Sequence, residues 1–300
     1  MAEDQRDHLV RPKFKQLLEP SYKPFRFADL PVELSLRILI YATAYSQGTY
    51  RSLLLVNKKI SGWIVIEMLS GVPIILADRR QLEAFESYLM TRPEVIPHIR
   101  NLWTICPTSV ISVHRLCVSI INRCTHLRSL ACHPHILFHI LNTSELQHTR
   151  CVDLTLIEFR IRWGHYMQSS TVWAQFFNQL RRLHFIGAMD HFSTLTVIPK
   201  LENIARVSVA LGSSTLVQPV MFEELMKSPK LGQVVITSRL HGDAHKALSD
   251  AAQQIDDRFS VMHRRRRWKE HNLWRESLQD PDRFWKQATE EKFLSPAQRR

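Results

Sequence analysis

The sequence predicts an α/β chain: an N-terminal helical unit, then a curved strand–helix solenoid with parallel strands, then a C-terminal helical tail. Three observations carry that expectation. The 300 residues are 45% hydrophobic and 23% charged, with only 8 Gly, a globular balance on a chain long enough to bury a sizeable core. An apolar-x-x-apolar-x-apolar pattern recurs through the middle of the chain at an even period. Stretches of helical periodicity fall between the recurrences.

Residues 1–27 are polar and broken by Pro12, Pro20 and Pro24, a spacing through which no helix runs, and they read as a flexible arm. From Asp29 the pattern changes, and residues 28–66 read as a helical unit. Pro31 suits a first helical turn, where its missing N–H costs nothing; Asp29 can cap that end, and Glu33 sits well near the positive end of the dipole. Leu34, Ile38, Tyr41 and Tyr45 then recur at helical spacing. After Gln47-Gly48, the residues Tyr50, Leu53, Leu54, Val56 and Ile60 mark a second helix. Two or three helices in roughly 40 residues make too small a core to stand alone, so the unit is expected to need a partner.

Residues 70–242 hold the repeat. It is written at Ile99-Leu102-Thr104, Leu127-Leu130-Cys132, Cys151-Leu154-Leu156, Leu180-Leu183-Phe185, Ile204-Val207-Val209 and Leu231-Val234-Ile236, with an earlier copy at Val72-Ile75-Ala77. The spacings between starting positions are 27, 28, 24, 29, 24 and 27 residues. Helical character falls over 80–92, 112–124, 136–142, 172–179 and 220–227, and a helix over 244–259 follows the last strand. Units of this size cannot bury their own apolar faces, so neighbours stack and share one elongated core. Strands alternating with helices must be parallel, with the helices on the outer side.

Two family resemblances rest on these residues. Leu30-Pro31-Val32-Glu33-Leu34, then Ile38-Leu39, then Leu53-Leu54-Leu55-Val56-Asn57-Lys58-Lys59-Ile60 resembles an F-box, with Ile60 where the family often has tryptophan and Trp63 close by. The resemblance covers residues 28–66 and implies docking on a Skp-type adaptor, which links the chain to a cullin–RING ubiquitin ligase. The adaptor contacts it implies are Leu30, Pro31, Leu34, Ile38, Leu55, Val56 and Ile60. A period in the twenties with the apolar signature above resembles leucine-rich repeats. The ninth positions hold Pro107, His135, Phe159, Ala188, Gly212 and Arg239 rather than the family's Asn or Cys, so the repeat is degenerate. An F-box followed by such repeats resembles the substrate receptors of SCF-type ubiquitin ligases, in a style similar to F-box-like proteins abundant in fungi.

In such a strand the residues alternating with the core slots face outward on the concave side. Trp103, His133, Arg182, His184 and Arg206 fall there, and they form the expected target-binding centre, since Trp and Arg are common interface anchors. The competing reading places Trp103 under a terminal loop and leaves the polar residues to solvate the surface.

Other chemistry is not expected. Cys117, Cys124, His126, Cys132, His133, His135 and His139 cluster in sequence, but no Cys-x2-Cys pair supplies half a zinc site, so neither metal nor cofactor is expected. The chain carries no GxSxG elbow, no HExxH and no phosphate-cradling glycine pattern, which argues against an enzyme. Five cysteines, odd in number, predict free thiols in a reducing compartment. The charged N-terminus and the short apolar runs predict a soluble protein of the cytoplasm or nucleus with no membrane segment.

The formal charge is +12, from 40 Lys and Arg against 28 acidic residues. Residues 243–300 read as a basic, aromatic, helical tail. From Met262 onward there are 11 Lys and Arg and 6 Asp and Glu, with Trp268, Trp274, Phe284 and Trp285 interleaved. Arg264, Arg265, Arg266 and Arg267 form a nuclear signal, a nucleic-acid contact or a solvated helix, while the tryptophans suit a cap on the last repeat. Three readings remain at this level: a ligase receptor, a repeat-based scaffold without adaptor binding, and a nucleic-acid-binding protein.

Overall fold

The computed structural model describes residues 27–56, 58, 66, 68–105, 111–143, 148–157, 171–186, 202–210, 226–263 and 270–293. The N-terminal arm up to residue 26, Ile60, most of the helix expected over 220–227 and the four arginines Arg264 to Arg267 lie outside the described residues. The chain divides into two compact units, residues 1–38 and residues 39–300, with the boundary inside the first α-helix.

The first unit holds a 3-10 turn, Phe27–Asp29, and the opening of α1, Val32–Tyr45. Helix α1 begins directly after Pro31, whose carbonyl accepts the N–H groups of Leu34 and Ser35 at 3.0 Å each. That is the place expected for a proline. Within this unit Leu34 and Ile38, one turn apart, are exposed.

The second unit takes in the end of α1, then α2, Gln47–Leu54, whose N-cap Ser46 accepts the Thr49 N–H at 2.9 Å. An eight-stranded sheet follows: β1 Ile74–Leu76, β2 Asn101–Thr104, β3 Ser129–Cys132, β4 Asp153–Ile157, β5 Arg182–Ile186, β6 Arg206–Ala210, β7 Gln233–Ser238 and β8 Phe259–His263. Every pairing is parallel and the spatial order equals the chain order, so the sheet is open and each strand lies beside its sequence neighbours. Between strands come α3 Arg79–Thr91, α4 Ile111–Arg123, α5 Pro134–Thr143, α6 Thr171–Asn178 and α7 Gly242–Ile255; α8 Glu270–Gln279 and α9 Arg283–Phe293 follow β8.

Register explains the repeat. Leu102, Leu130, Leu154, Leu183, Val207, Val234 and Phe259 are successive partners across seven strands, and all are buried. This row and the Leu156, Phe185, Val209, Ile236 and Val261 row fill one face of the sheet. Thr104 stands in an apolar slot and is fully buried, but its hydroxyl donates to the Ala131 carbonyl at 3.4 Å, so its polarity is satisfied. The helix ends are equally local: Asp78 accepts the Gln81 N–H at 2.8 Å while Gln81 accepts the Ala77 N–H at 2.8 Å, a reciprocal cap that starts α3.

The tail differs from expectation. The helix expected over 244–259 stops at Ile255, and Phe259 opens an eighth strand whose Val234–Phe259 register continues the core row. The sheet therefore passes the expected domain limit at residue 242. The expected helix takes in Phe259 and the basic tail begins after it, so the Phe-x-Val alternation of a buried strand is split between a helix and a charge run. Among the described residues, no helix is long and apolar enough to cross a membrane.

Candidate binding surfaces

The second face of the sheet is the one on which the target-binding centre was expected. It carries the row Ile75, Trp103, Ala131, Thr155, His184, Ser208 and Val235. The chain's own tail covers much of it. Trp274 of α8 lies against Trp103 with ring centroids 5.5 Å apart, packs on Ala131, and donates its indole N–H to the Ser129 hydroxyl at 2.9 Å. Trp285 of α9 packs with Val235, Met262 and Ala288 in a second cluster. Polar links run along the edge: Arg182 donates to the Pro281 carbonyl at 3.1 Å, Gln233 donates to the Trp285 carbonyl at 2.9 Å, and Arg206 pairs with Asp282.

The expected exposure of Trp103 is therefore corrected: it is 2% exposed. His184 sits beneath Phe284 and Trp285, with ring centroids 5.9 and 5.3 Å away, and burial and Arg182 push its pKa down to about 3. His133 is buried, its ring stacked 5.0 Å from that of His135. Two amphipathic helices offered more aromatic surface than a cap on one repeat can use, and the apolar residues of this face absorbed it. Trp285 packs on the last repeat, against Val235, as a cap would, while Trp274 packs farther along the same face on Trp103 and Ala131; Trp268 lies outside the described residues.

Arg182 and Arg206, the other two expected target contacts, lie at the amino-terminal edge of the strands. Arg182 makes a two-pronged pair with Asp153, including a 2.8 Å bond from Nη2 to Oδ2. Burial pushes the Asp153 pKa up, against the pull of Arg182, Arg128 and Arg181. Arg206 lies over the Trp285 ring, 5.6 Å from its centroid. Beside them opens a cleft of about 640 Å³ lined by Arg100, Arg128, Arg150, Arg181, Arg182 and Arg206, with His126, Val152, Ala205 and Asp282.

Of the other residues of that cleft only His126 is named from sequence, and only in the Cys/His cluster, although a signal for the arginines exists. The residue after the first apolar slot of the repeat is arginine at 100, 128 and 181, and Pro73, Val152, Ala205 and Gly232 hold that place in the remaining copies. The structure carries the ladder through it: Arg128 N–H donates to the Arg100 carbonyl at 2.7 Å, Val152 to Arg128 at 2.9 Å, Arg181 to Val152 at 2.9 Å, and Ala205 to Arg181 at 2.9 Å.

The expected adaptor contacts fall in both units. Leu34 and Ile38 of the first are 46% and 48% exposed, and Pro31 is exposed while Leu30 is half-buried. In the second unit Leu55 is 87% exposed and Val56 58%, just past the end of α2. Ile60 is outside the described residues.

Among the described residues no three His, Cys, Asp or Glu side chains group as a metal site. Cys117, Cys124, Cys132 and Cys151 are free and buried. Burial pushes the Cys124 thiol up to about 12 and raises Cys132 and Cys151 as well, which keeps these sulfurs as thiols rather than reactive thiolates. No family model matches the chain, and no curated protein is significantly similar to it.

Proposed function

We propose that this chain is an F-box-type substrate receptor of a cullin–RING ubiquitin ligase, docking a Skp-type adaptor through the helices of residues 28–66 and a target protein through the strand–helix domain. The observation that carries the reading is the exposure of large apolar side chains at the F-box-like positions Leu34, Ile38, Leu55 and Val56. Large apolar side chains left in water within each unit, Leu34 with Ile38 one turn apart and Leu55 beside Val56, are what a docking face would present. The open parallel sheet with strands in chain order supports the leucine-rich-repeat half of the resemblance. In this reading the chain performs no chemistry; it raises the local concentration of a target near the transferring enzyme. On the same reading target contacts fall at the strand edge beside Arg206, whose side chain is 32% exposed, and not on Trp103, His133 or His184, which the chain itself covers.

The test is co-expression with a Skp-type adaptor. A stable complex is expected from the full chain, and Leu34→Ala/Ile38→Ala should abolish it while leaving the receptor folded. A folded chain that binds no adaptor refutes the receptor reading and leaves a repeat-based scaffold. Nucleic-acid binding that needs Arg264 to Arg267 and falls steeply with salt would instead favour the third reading.

A further inference from the structure

The cleft at the amino-terminal edge of β2 to β6 gathers more positive charge than the fold itself can use. Six arginines line it, against one carboxylate, Asp282, which is engaged by Arg206. Asp153, just beneath, is engaged by Arg182. Arg100, Arg128, Arg150 and Arg181 have no carboxylate ion pair among the described residues. Arg100 donates instead to the His126 carbonyl at 3.1 Å, and an Arg150 nitrogen lies 3.3 Å from His126 Nδ1. The guanidinium groups of Arg128 and Arg181 make no hydrogen bond among the described residues.

Register makes the crowding systematic. Arg100 and Arg128 precede neighbouring parallel strands at the same position, and Arg182 and Arg206 are direct partners. Adjacent strands lie about 4.8 Å apart, so like charges in these pairs repel along the edge. Partial burial and Arg150 together lower the Arg100 pKa, and burial with Arg150 and Arg100 lowers that of His126, so the cleft already favours shedding positive charge. A negatively charged occupant reverses that balance.

The chemistry of the lining narrows the occupant. All six cations are arginines and none is lysine, and the planar guanidinium fork matches the two-oxygen edge of a phosphate. Five strands at about 4.8 Å put about 19 Å between the ends of the row, too far for one phosphate to bridge. Among the described residues, no phenylalanine, tyrosine or tryptophan lines the cleft. Single-stranded nucleic acid is held by stacking platforms as well as by charge, so the lining disfavours it.

We propose that this cleft binds a small anion carrying several linked phosphate groups, as a nucleoside triphosphate or a short inorganic polyphosphate does, with Arg100, Arg128, Arg150 and Arg181 as its principal contacts. The site is independent of adaptor docking: Leu34→Ala/Ile38→Ala should leave it intact, so the two readings fail separately.

The experiment is titration calorimetry of the full chain with inorganic tripolyphosphate at physiological salt, beside adenosine triphosphate and a single-stranded RNA 12-mer. One tripolyphosphate per chain is expected. Arg128→Ala/Arg181→Ala should weaken it about 100-fold, the effect of two lost charge-assisted contacts. Both side chains are exposed and hydrogen-bond nothing described, so the variant should keep the parent melting temperature. Arg79→Ala/Arg80→Ala, on α3 outside the cleft, should change nothing. Adenosine triphosphate binding as tightly as tripolyphosphate supports a site that reads phosphates alone; tighter binding lost in the Arg128/Arg181 variant assigns the nucleotide as the source. The proposal is overturned by sulfate at matched ionic strength binding as well as tripolyphosphate, by binding that survives Arg128→Ala/Arg181→Ala, or by the RNA displacing tripolyphosphate at equal phosphate concentration.

Discussion

Helices α1 and α9 are both short, amphipathic and rich in large apolar side chains, yet they end in opposite situations. Trp285 of α9 is 1% exposed, set against Val235 and Met262, whereas Leu34 and Ile38 near the start of α1 remain close to half exposed. The sheet accounts for the first. Its second face carries Val235, Met262, Trp103 and Ala131, and an apolar face must be covered by something. The tail supplies that cover within the same chain, down to hydrogen bonds such as Gln233 to the Trp285 carbonyl. Burying a large aromatic side chain is worth about 1.5–3 kcal/mol in area alone, and the tail does this twice. Amphipathicity thus says that a helix will be covered, and only packing says by what.

The comparison breaks first at Trp285. Trp285→Ala should cost about 3–5 kcal/mol, the transfer loss plus the cavity left under α9. In a unit of this size that lowers the melting temperature by about 10 °C. Differential scanning fluorimetry reads it directly. A fall of less than about 2 °C would mean that α9 does not cover the sheet in solution, and the strand face would again be open to a target.

Much of the parallel sheet was legible in the sequence because one physical constraint wrote it repeatedly. Leu130, Leu154, Leu183 and Val207 are core residues on successive parallel strands, so the same spacing returns with every strand–helix unit. The helices between them were legible to within a few residues, since each must present one apolar stripe to the sheet; α4 was expected over 112–124 and spans Ile111–Arg123. Strand β8 was not, because the expected helix over 244–259 takes in Phe259, and Val261 falls beside Arg264 to Arg267, whose charge hides the alternation. Whether Trp103 is exposed or covered stayed open between two readings, and the structure bears out the covered one. A strand pattern fixes which face a side chain takes, but Trp274 reaches Trp103 from 171 positions away in the chain, and local periodicity carries no information over that distance. The arginine cleft falls between these cases: its period was present at 100, 128 and 181, and only the register showed that these positions share one edge.

His148 sharpens the comparison from the polar side, as a group that the chain covers without satisfying. It is 3% exposed, neither ring nitrogen has a hydrogen-bond partner among the described residues, and desolvation pushes its pKa from 6.5 down to about 4. The folded chain therefore keeps His148 neutral while the unfolded chain takes up a proton as pH falls through 6.5. Stability is lost from pH 6.5 down to about 4 and the loss levels off below that, at about 1.4 kcal/mol per pH unit within the window. His184, whose pKa burial and Arg182 push down to about 3, acts in the same direction. Guanidinium chloride unfolding at pH 7.5 and 5.5 measures the slope, and His148→Leu should remove about 1.4 kcal/mol of the difference. An unchanged slope would show that solvent reaches the ring in the folded state.

The smallest effect on stability is expected where the proposed effect on function is largest. Leu34→Ala/Ile38→Ala removes side chains that already meet water, so each change should stay within about 0.5 kcal/mol. Alanine is also a better helix former than either residue, so α1 itself is not weakened. A melting temperature within about 2 °C of the parent, together with loss of adaptor binding, is the outcome that separates a docking face from a core face. A melting loss as large as that of Trp285→Ala would place Leu34 and Ile38 under cover in solution. The two helices would then be alike, with no apolar face at the start of α1 left for a partner.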